Sequence, residues 1–134
     1  MLLDTQALLT LAPDGIDGVP EKVRRLIRAP RTECALSAVS ITEIAVKNSI
    51  GKLEASSEAV REMIADLQIT VLPFTGCHAH RMFELPLHHR EPFDRMIIAV
   101  ALTEGLPLIG RDARFSELRR PGSQRNLEVN ERIA

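Results

Sequence analysis

Short apolar runs alternate along the chain with stretches whose apolar residues recur at helical spacing, and this alternation constrains the fold more than any other feature. The strand-like runs are Met1–Leu3, Cys34–Val39, Ile69–Phe74 and Leu106–Ile109. The helical stretches are Thr5–Ala12, Val19–Ala29, Ser40–Ile50, Ser57–Leu67, Cys77–Leu85 and Pro92–Glu104. Strands that alternate with helices are typical of a mostly parallel sheet covered by helices. We therefore predict an α/β domain, a three-layer α/β/α sandwich with a short, mostly parallel central sheet.

The length of 134 residues fits one domain. We predict that residues 1–118 form this domain and that residues 119–134 are a polar tail, which holds a weak last strand around Leu127–Val129 or is partly disordered. Hydrophobic residues make up 45% of the chain but aromatic residues only 3%. The core must therefore be aliphatic, and nucleic-acid binding by stacking of bases on aromatic side chains is not expected.

The start of the chain lacks the features of a signal peptide. It has no positively charged segment before the first apolar run, and Asp4 interrupts that run. No apolar run reaches the roughly 20 residues needed to span a bilayer. The two cysteines, Cys34 and Cys77, have no metal-binding or redox spacing and are expected to be reduced thiols. These observations predict a cytoplasmic protein with no membrane segment.

Four acids fall where a parallel sheet gathers its ligands, at the carboxyl ends of strands. Asp4 ends the first apolar run, and Asp112 follows the last one. Glu43 is predicted in the first turn of the helix after the second run, and Asp94 in the first turn of the helix that starts at Pro92. Although they are far apart in sequence, these acids can converge on one edge of the sheet.

Such a cluster of acids requires a compensating charge. Two carboxylates ~4 Å apart repel by about 4 kcal/mol at an effective dielectric constant of ~20. A bound proton or a cation relieves this repulsion. Carboxylate oxygens are hard ligands that favour Mg²⁺, or Mn²⁺, over Zn²⁺. A metal held in this way can activate water for attack on a phosphodiester.

Each acid also has an ordinary structural interpretation. The sequence Ser40-x-x-Glu43 fits a capping box, in which Glu43 satisfies the start of its own helix. Asp94 is expected near the positive, N-terminal end of its helix dipole, which stabilises its negative charge. Asp112 and Asp4 can each cap the helix that follows. Asp4 is the least well explained in this way, because it comes directly after an apolar strand.

The histidines and arginines are less specific. Pairs of histidines occur without further ligands at a zinc-binding spacing, so surface or helix-capping roles are expected for His78, His80, His88 and His89. The planar fork of arginine suits phosphate. Arg95, Arg111 and Arg114 lie next to the candidate acids and are candidate phosphate contacts, with surface salt bridges as the alternative.

Three blocks of sequence resemble a known family. LLDTQALL, SAVSITEIAVKNSIGKL and LPLHHREPFDRMIIAVALTEGLPLIGRD, between about Leu2 and Phe115, are similar to PIN domains and in particular to VapC-type toxins of bacterial toxin–antitoxin pairs. The resemblance implies an α/β/α nuclease that cuts RNA with Mg²⁺ or Mn²⁺. It assigns the catalytic and metal-binding acids to Asp4, Glu43, Asp94 and Asp112.

The resemblance also implies partners: an RNA substrate, a small cognate antitoxin and a second copy of the chain in a homodimer. Two positions depart from the family pattern, since Glu91 replaces an aspartate and Gly110 stands where threonine or serine is common. The alternative is therefore a catalytically impaired PIN-fold module that mainly engages an antitoxin. A phosphoacceptor signalling domain is disfavoured, because Asp4 has no adjacent acid and no lysine follows the last strand.

Overall fold

A short parallel sheet forms the centre of the structure. The computed structural model describes residues 1–11, 25, 29, 33–86 and 91–110. Within them the strands are β1 (Leu2–Leu3), β2 (Ala35–Ser37), β3 (Thr70–Leu72) and β4 (Leu108–Ile109). All of these strands pair in parallel, in the order β3-β2-β1-β4. The predicted parallel α/β architecture is confirmed.

Helices connect these strands. The described ones are α1 (Thr5–Thr10), α2 (Ala38–Ser49), α3 (Ser57–Asp66), α4 (Gly76–Arg81) and α5 (Pro92–Glu104), with a 3₁₀ turn at Met82–Glu84 after α4. The last helix begins and ends as its sequence predicts. Pro92 occupies the first turn, where its missing N–H is not needed. Gly105 ends the helix with a left-handed φ of 65°.

Alternate strand residues enter two separate cores, because successive side chains of a strand point to opposite faces. Leu3 and Ile109 pack on one face with residues of α1, α2 and α3, such as Leu8 and Ile44. Leu2 and Leu108 pack on the other face with apolar residues of α5. Helices thus cover both faces of the sheet, as expected for a three-layer sandwich.

The boundary between the second strand and its helix differs from the prediction. The strand ends at Ser37, so Val39 is helical rather than extended. The Ser37 hydroxyl accepts a hydrogen bond from the Val39 N–H at 3.1 Å and caps the helix there. The predicted capping box at Ser40 and Glu43 is therefore wrong. Glu43 lies in the second turn of α2, and its carboxylate is available for other contacts.

The bounds of α4 also differ from the prediction. Thr75 caps it, so α4 begins at Gly76 rather than at Cys77, and the predicted single helix to Leu85 continues as the 3₁₀ turn. His78 completes a capping box, because its Nδ1 accepts the Thr75 N–H at 2.9 Å. The other ring nitrogen of His78 lies 2.7 Å from Glu104, at the end of α5. The buried His78 thus links α4 to α5, which fits the predicted capping role.

Several predictions concern residues outside the described part of the chain. The predicted helix Val19–Ala29 is described only at Arg25 and Ala29. The tail 119–134, with its weak strand Leu127–Val129 and the domain boundary at residue 118, lies wholly outside. Among the described helices, none has the length and apolar character to cross a membrane.

Candidate active site

The order of the strands places Asp4, the first candidate acid, at the point where the strand order reverses. The chain proceeds from β1 outward to β2 and β3, and then returns to place β4 on the other side of β1. Ligands of open parallel sheets bind at such a switch point. Asp4 follows β1 there, and its N–H donates to the Ile109 carbonyl at the end of β4 at 2.8 Å. Gly110, the next residue of the chain after Ile109, is buried beside it.

Asp4 serves both the helix and the acidic cluster. Its Oδ1 accepts the Ala7 N–H at 2.7 Å and so caps α1. The pKa of Asp4 is raised to about 6, mainly by burial and also by the negative charges of Asp94 and Glu43, against the opposing effect of the hydrogen bond from Ala7. The capping interpretation is thus correct, and it does not exclude a second role at the site.

Asp94 lies in the first turn of α5, as predicted. The pKa of Asp94 is raised to about 6, mainly by burial and also by the charges of Glu43 and Glu91, while the positive charge of Lys47 opposes this rise. Asp4, Glu43 and Asp94 therefore share one electrostatic environment, although they come from β1, α2 and α5.

Glu43 is the most deeply buried of the acids, with 3% of its surface exposed. Its Oε1 accepts the hydroxyl of Thr5 at 2.6 Å, and its Oε2 accepts the ammonium of Lys47 at 2.6 Å. The Thr5 hydroxyl also lies 3.0 Å from that of the buried Ser40. Thr5 therefore joins the start of α1 to α2 directly beside Asp4.

Sequence reasoning missed the role of Lys47. The hydrogen bond with Glu43 raises the pKa of Lys47, and the charges of Glu43, Glu91 and Asp94 raise it too, against the effect of desolvation. The four-residue spacing from Glu43 to Lys47 on one helix is a signal that could have been read, since such pairs face each other. The spacing alone does not predict that Glu43 is buried.

The described acids suit a hard divalent cation in chemistry and in charge. Their donors are all carboxylate oxygens, and burial and mutual repulsion penalise the negative charge on Asp4 and Asp94. Mg²⁺ in proteins is commonly held by one or two carboxylates and keeps several waters. Within residues 1–11, 33–86 and 91–110, no three histidine, cysteine or acidic side chains are grouped closely enough to hold a metal. The fourth predicted acid, Asp112, lies outside the described residues.

The two departures from the family pattern lie at the edge of this cluster. Glu91 is the N-cap residue of α5, and its side chain makes no capping hydrogen bond. It is exposed, and its charge acts on both Asp94 and Lys47. Gly110 is buried where β4 ends. A hydroxyl is present nearby on Thr5, but that hydroxyl is bonded to Glu43.

Of the predicted phosphate contacts, only Arg95 lies in the described part of the chain, since Arg111 and Arg114 fall outside it. The Arg95 guanidinium donates to the Pro86 carbonyl at 2.7 Å and to the Met82 carbonyl at 3.3 Å. These bonds hold the segment after the 3₁₀ turn against the start of α5. They favour a structural role for Arg95.

Arg95→Lys is expected to lower the free energy of unfolding by about 1–3 kcal/mol, because lysine has no planar fork to reach both partly buried carbonyls. Urea unfolding measures this change. Arg61→Lys, at an exposed position of α3, is the control and should change stability by less than about 0.5 kcal/mol. Unchanged stability together with a large loss of RNA cleavage would instead identify Arg95 as a phosphate contact.

The fold and the acids together define an α/β/α protein with carboxylates at its topological switch point. Comparison with known proteins agrees with this fold. The family model of the PIN domain matches residues 1–121. The chain therefore belongs to the PIN domain family, as its sequence blocks predicted.

A solved structure supports the same fold. A chain in the crystal structure of VapBC2 from Rickettsia felis, bound to a DNA fragment from their promoter, superposes with a TM-score of 0.62. The match covers 87% of this chain and 91% of that one at 14% sequence identity. No curated protein matches the chain in sequence.

Proposed function

We propose that this protein is a Mg²⁺-dependent endoribonuclease, with Mn²⁺ as an alternative metal, and the toxin of a toxin–antitoxin pair. The observation that carries the proposal is the partly buried pair Asp4 and Asp94, whose negative charges repel, at the switch point of a PIN domain. Raised carboxyl pKa values in a cleft at a strand end are typical of functional sites.

Asp4 and Asp94 would hold the metal, with Asp112 as a third ligand and Glu43 completing the acidic cluster. Asp112 follows Gly110 by two residues, a separation that an extended chain spans with about 7 Å. Its carboxylate can therefore reach the edge of the sheet where Asp4 lies. Arg111 and Arg114 are proposed to contact RNA phosphates from the same segment.

When bound, the metal would lower the pKa of a coordinated water and offset negative charge at the phosphorus. The protein's own groups prepare this chemistry. Asp4 is fixed by its bond to Ala7, and Asp94 by its place in the first turn of α5. Without a metal both carboxylates have a pKa of about 6, and the charge of a bound cation would keep them ionised at neutral pH.

The family and the similar solved structure support a proposal about partners. VapBC2 is solved as a complex bound to promoter DNA. By analogy we propose a small antitoxin that silences this chain, a homodimer as the assembly, and the cytoplasm as the place of action.

RNA cleavage by the purified chain without antitoxin tests the proposal. We expect cleavage of single-stranded RNA with Mg²⁺, loss of cleavage with EDTA, and recovery when Mg²⁺ is restored. Cleavage that persists unchanged in EDTA would exclude the metal mechanism.

The second candidate is an impaired module that mainly binds an antitoxin. The positions that favour it are Glu91, which replaces an aspartate of the family pattern, and Gly110, which is buried at the end of β4 where a hydroxyl is common. Expression of the chain alone separates the two functions, because a competent enzyme arrests growth and an impaired one does not.

A further inference from the structure

The buried carboxylate of Glu43 already has a partner for each oxygen. Thr5 donates to Oε1 and Lys47 to Oε2, both at 2.6 Å. A charge taken out of water must be paired and hydrogen-bonded, otherwise it strongly destabilises the fold. Only 5% of the Glu43 side chain is exposed, against 31% for Lys47. The lysine therefore supplies the full positive charge that this buried carboxylate requires.

The influence of Lys47 extends beyond Glu43. Its ammonium interacts favourably with Asp94 and Glu91, which belong to the start of α5. A single cation on α2 thus faces acids from two helices. It lies at the solvent-facing end of the cluster, since Lys47 is partly exposed and Glu43 is not.

We propose that Lys47 is the resident counter-cation of this site and a positioning residue. It holds Glu43 by a direct ion pair, so that Glu43 would contact the metal only through a bridging water. When no metal is bound, its positive charge offsets the negative charge of the acidic cluster. This inference rests on the proposed metal-dependent function. It adds a residue outside the four acids and gives Glu43 a supporting role instead of direct coordination.

The alternative is an ordinary helical ion pair. Exposed pairs four residues apart stabilise a protein only slightly. Glu43 differs from such a pair because it is buried, and because its other oxygen is fixed by a buried threonine. Removing Lys47 would leave a buried carboxylate beside Asp94 without its cation.

Lys47→Met tests the proposal, since methionine keeps much of the apolar length and removes the charge. Lys52→Met, at an exposed position just after α2, is the matched control. In EDTA at neutral pH we expect Lys47→Met to unfold at a clearly lower urea concentration than the wild type, and Lys52→Met to unfold like the wild type. Isothermal titration should show Mg²⁺ binding roughly 3- to 10-fold tighter in Lys47→Met, because a charge that repels the ion has gone.

Two further variants keep the test decisive if Lys47→Met does not fold. Lys47→Arg keeps the charge and should resemble the wild type in EDTA. Glu43→Gln removes the carboxylate that needs the lysine, so adding Lys47→Met to Glu43→Gln should have little further effect on unfolding. A large further loss in that double variant would overturn the proposal.

Equal behaviour of Lys47→Met and Lys52→Met would also overturn it, as would weaker Mg²⁺ binding in Lys47→Met. These outcomes are distinguishable from failure of the proposed function. If the wild type binds no Mg²⁺, the nuclease proposal fails on the wild type alone. The unfolding comparison in EDTA still reports whether Lys47 balances the acids.

Discussion

Asp4→Asn is expected to slow Mg²⁺-dependent RNA cleavage by about 100-fold or more, equivalent to roughly 2.7 kcal/mol in the barrier. Asparagine caps helices as well as aspartate does, so the bond to the Ala7 N–H and the start of α1 should survive. The substitution therefore removes the charge and keeps the fold. The initial rate of cleavage of a labelled single-stranded RNA, with thermal unfolding followed in parallel, measures both effects.

The matched control is Asp66→Asn, which removes an exposed carboxylate at the end of α3. It should cleave at the wild-type rate. Asp94→Asn should slow RNA cleavage to a similar extent as Asp4→Asn, because both acids are proposed to hold the same metal. If Asp4→Asn cleaves as fast as the control, the carboxylate of Asp4 is not part of the mechanism, whatever its role as a cap.

The parts of this protein that sequence predicted best are those set by local chemistry. The alternation of strands and helices gave the sheet, and Pro92 and Gly105 gave both ends of α5. The position of Asp4 followed from the rule that parallel strands end at one edge of the sheet, and that of Asp94 from the helix start at Pro92. These features depend on neighbours in the chain, or on a topology with few alternatives.

What sequence did not predict depends on contacts between distant segments. Two serines, Ser37 and Ser40, could each have capped α2, and only the structure shows that Ser37 does so. That choice moved Glu43 out of the first turn and into contact with Thr5, 38 positions earlier in the chain. The role of Lys47 arises from the burial of its partner, which a spacing of four residues does not reveal.

The stability of the metal-free protein is expected to fall as the pH rises from about 4 to about 6.5, with little further change towards neutrality. Asp4 and Asp94 have pKa values of about 6 in the folded chain, above the ordinary value of 3.8. The folded state thus binds more protons than the unfolded state in this window, so the stabilisation is present at the acidic end and is lost as the carboxyls ionise. Urea unfolding in EDTA across this range measures it.

About 1.4 kcal/mol accompanies each unit of pKa difference, so the buried Asp4 contributes about 3 kcal/mol at most. Solvent screening reduces the share of the partly exposed Asp94. The Asp4→Asn, Asp94→Asn double variant should lose this pH dependence. Excess Mg²⁺ should stabilise the wild type at neutral pH and have no effect near pH 4, because protonated carboxyls do not bind the ion. A wild-type protein in EDTA that gains stability between about pH 4 and 6.5 would contradict the raised pKa values of Asp4 and Asp94.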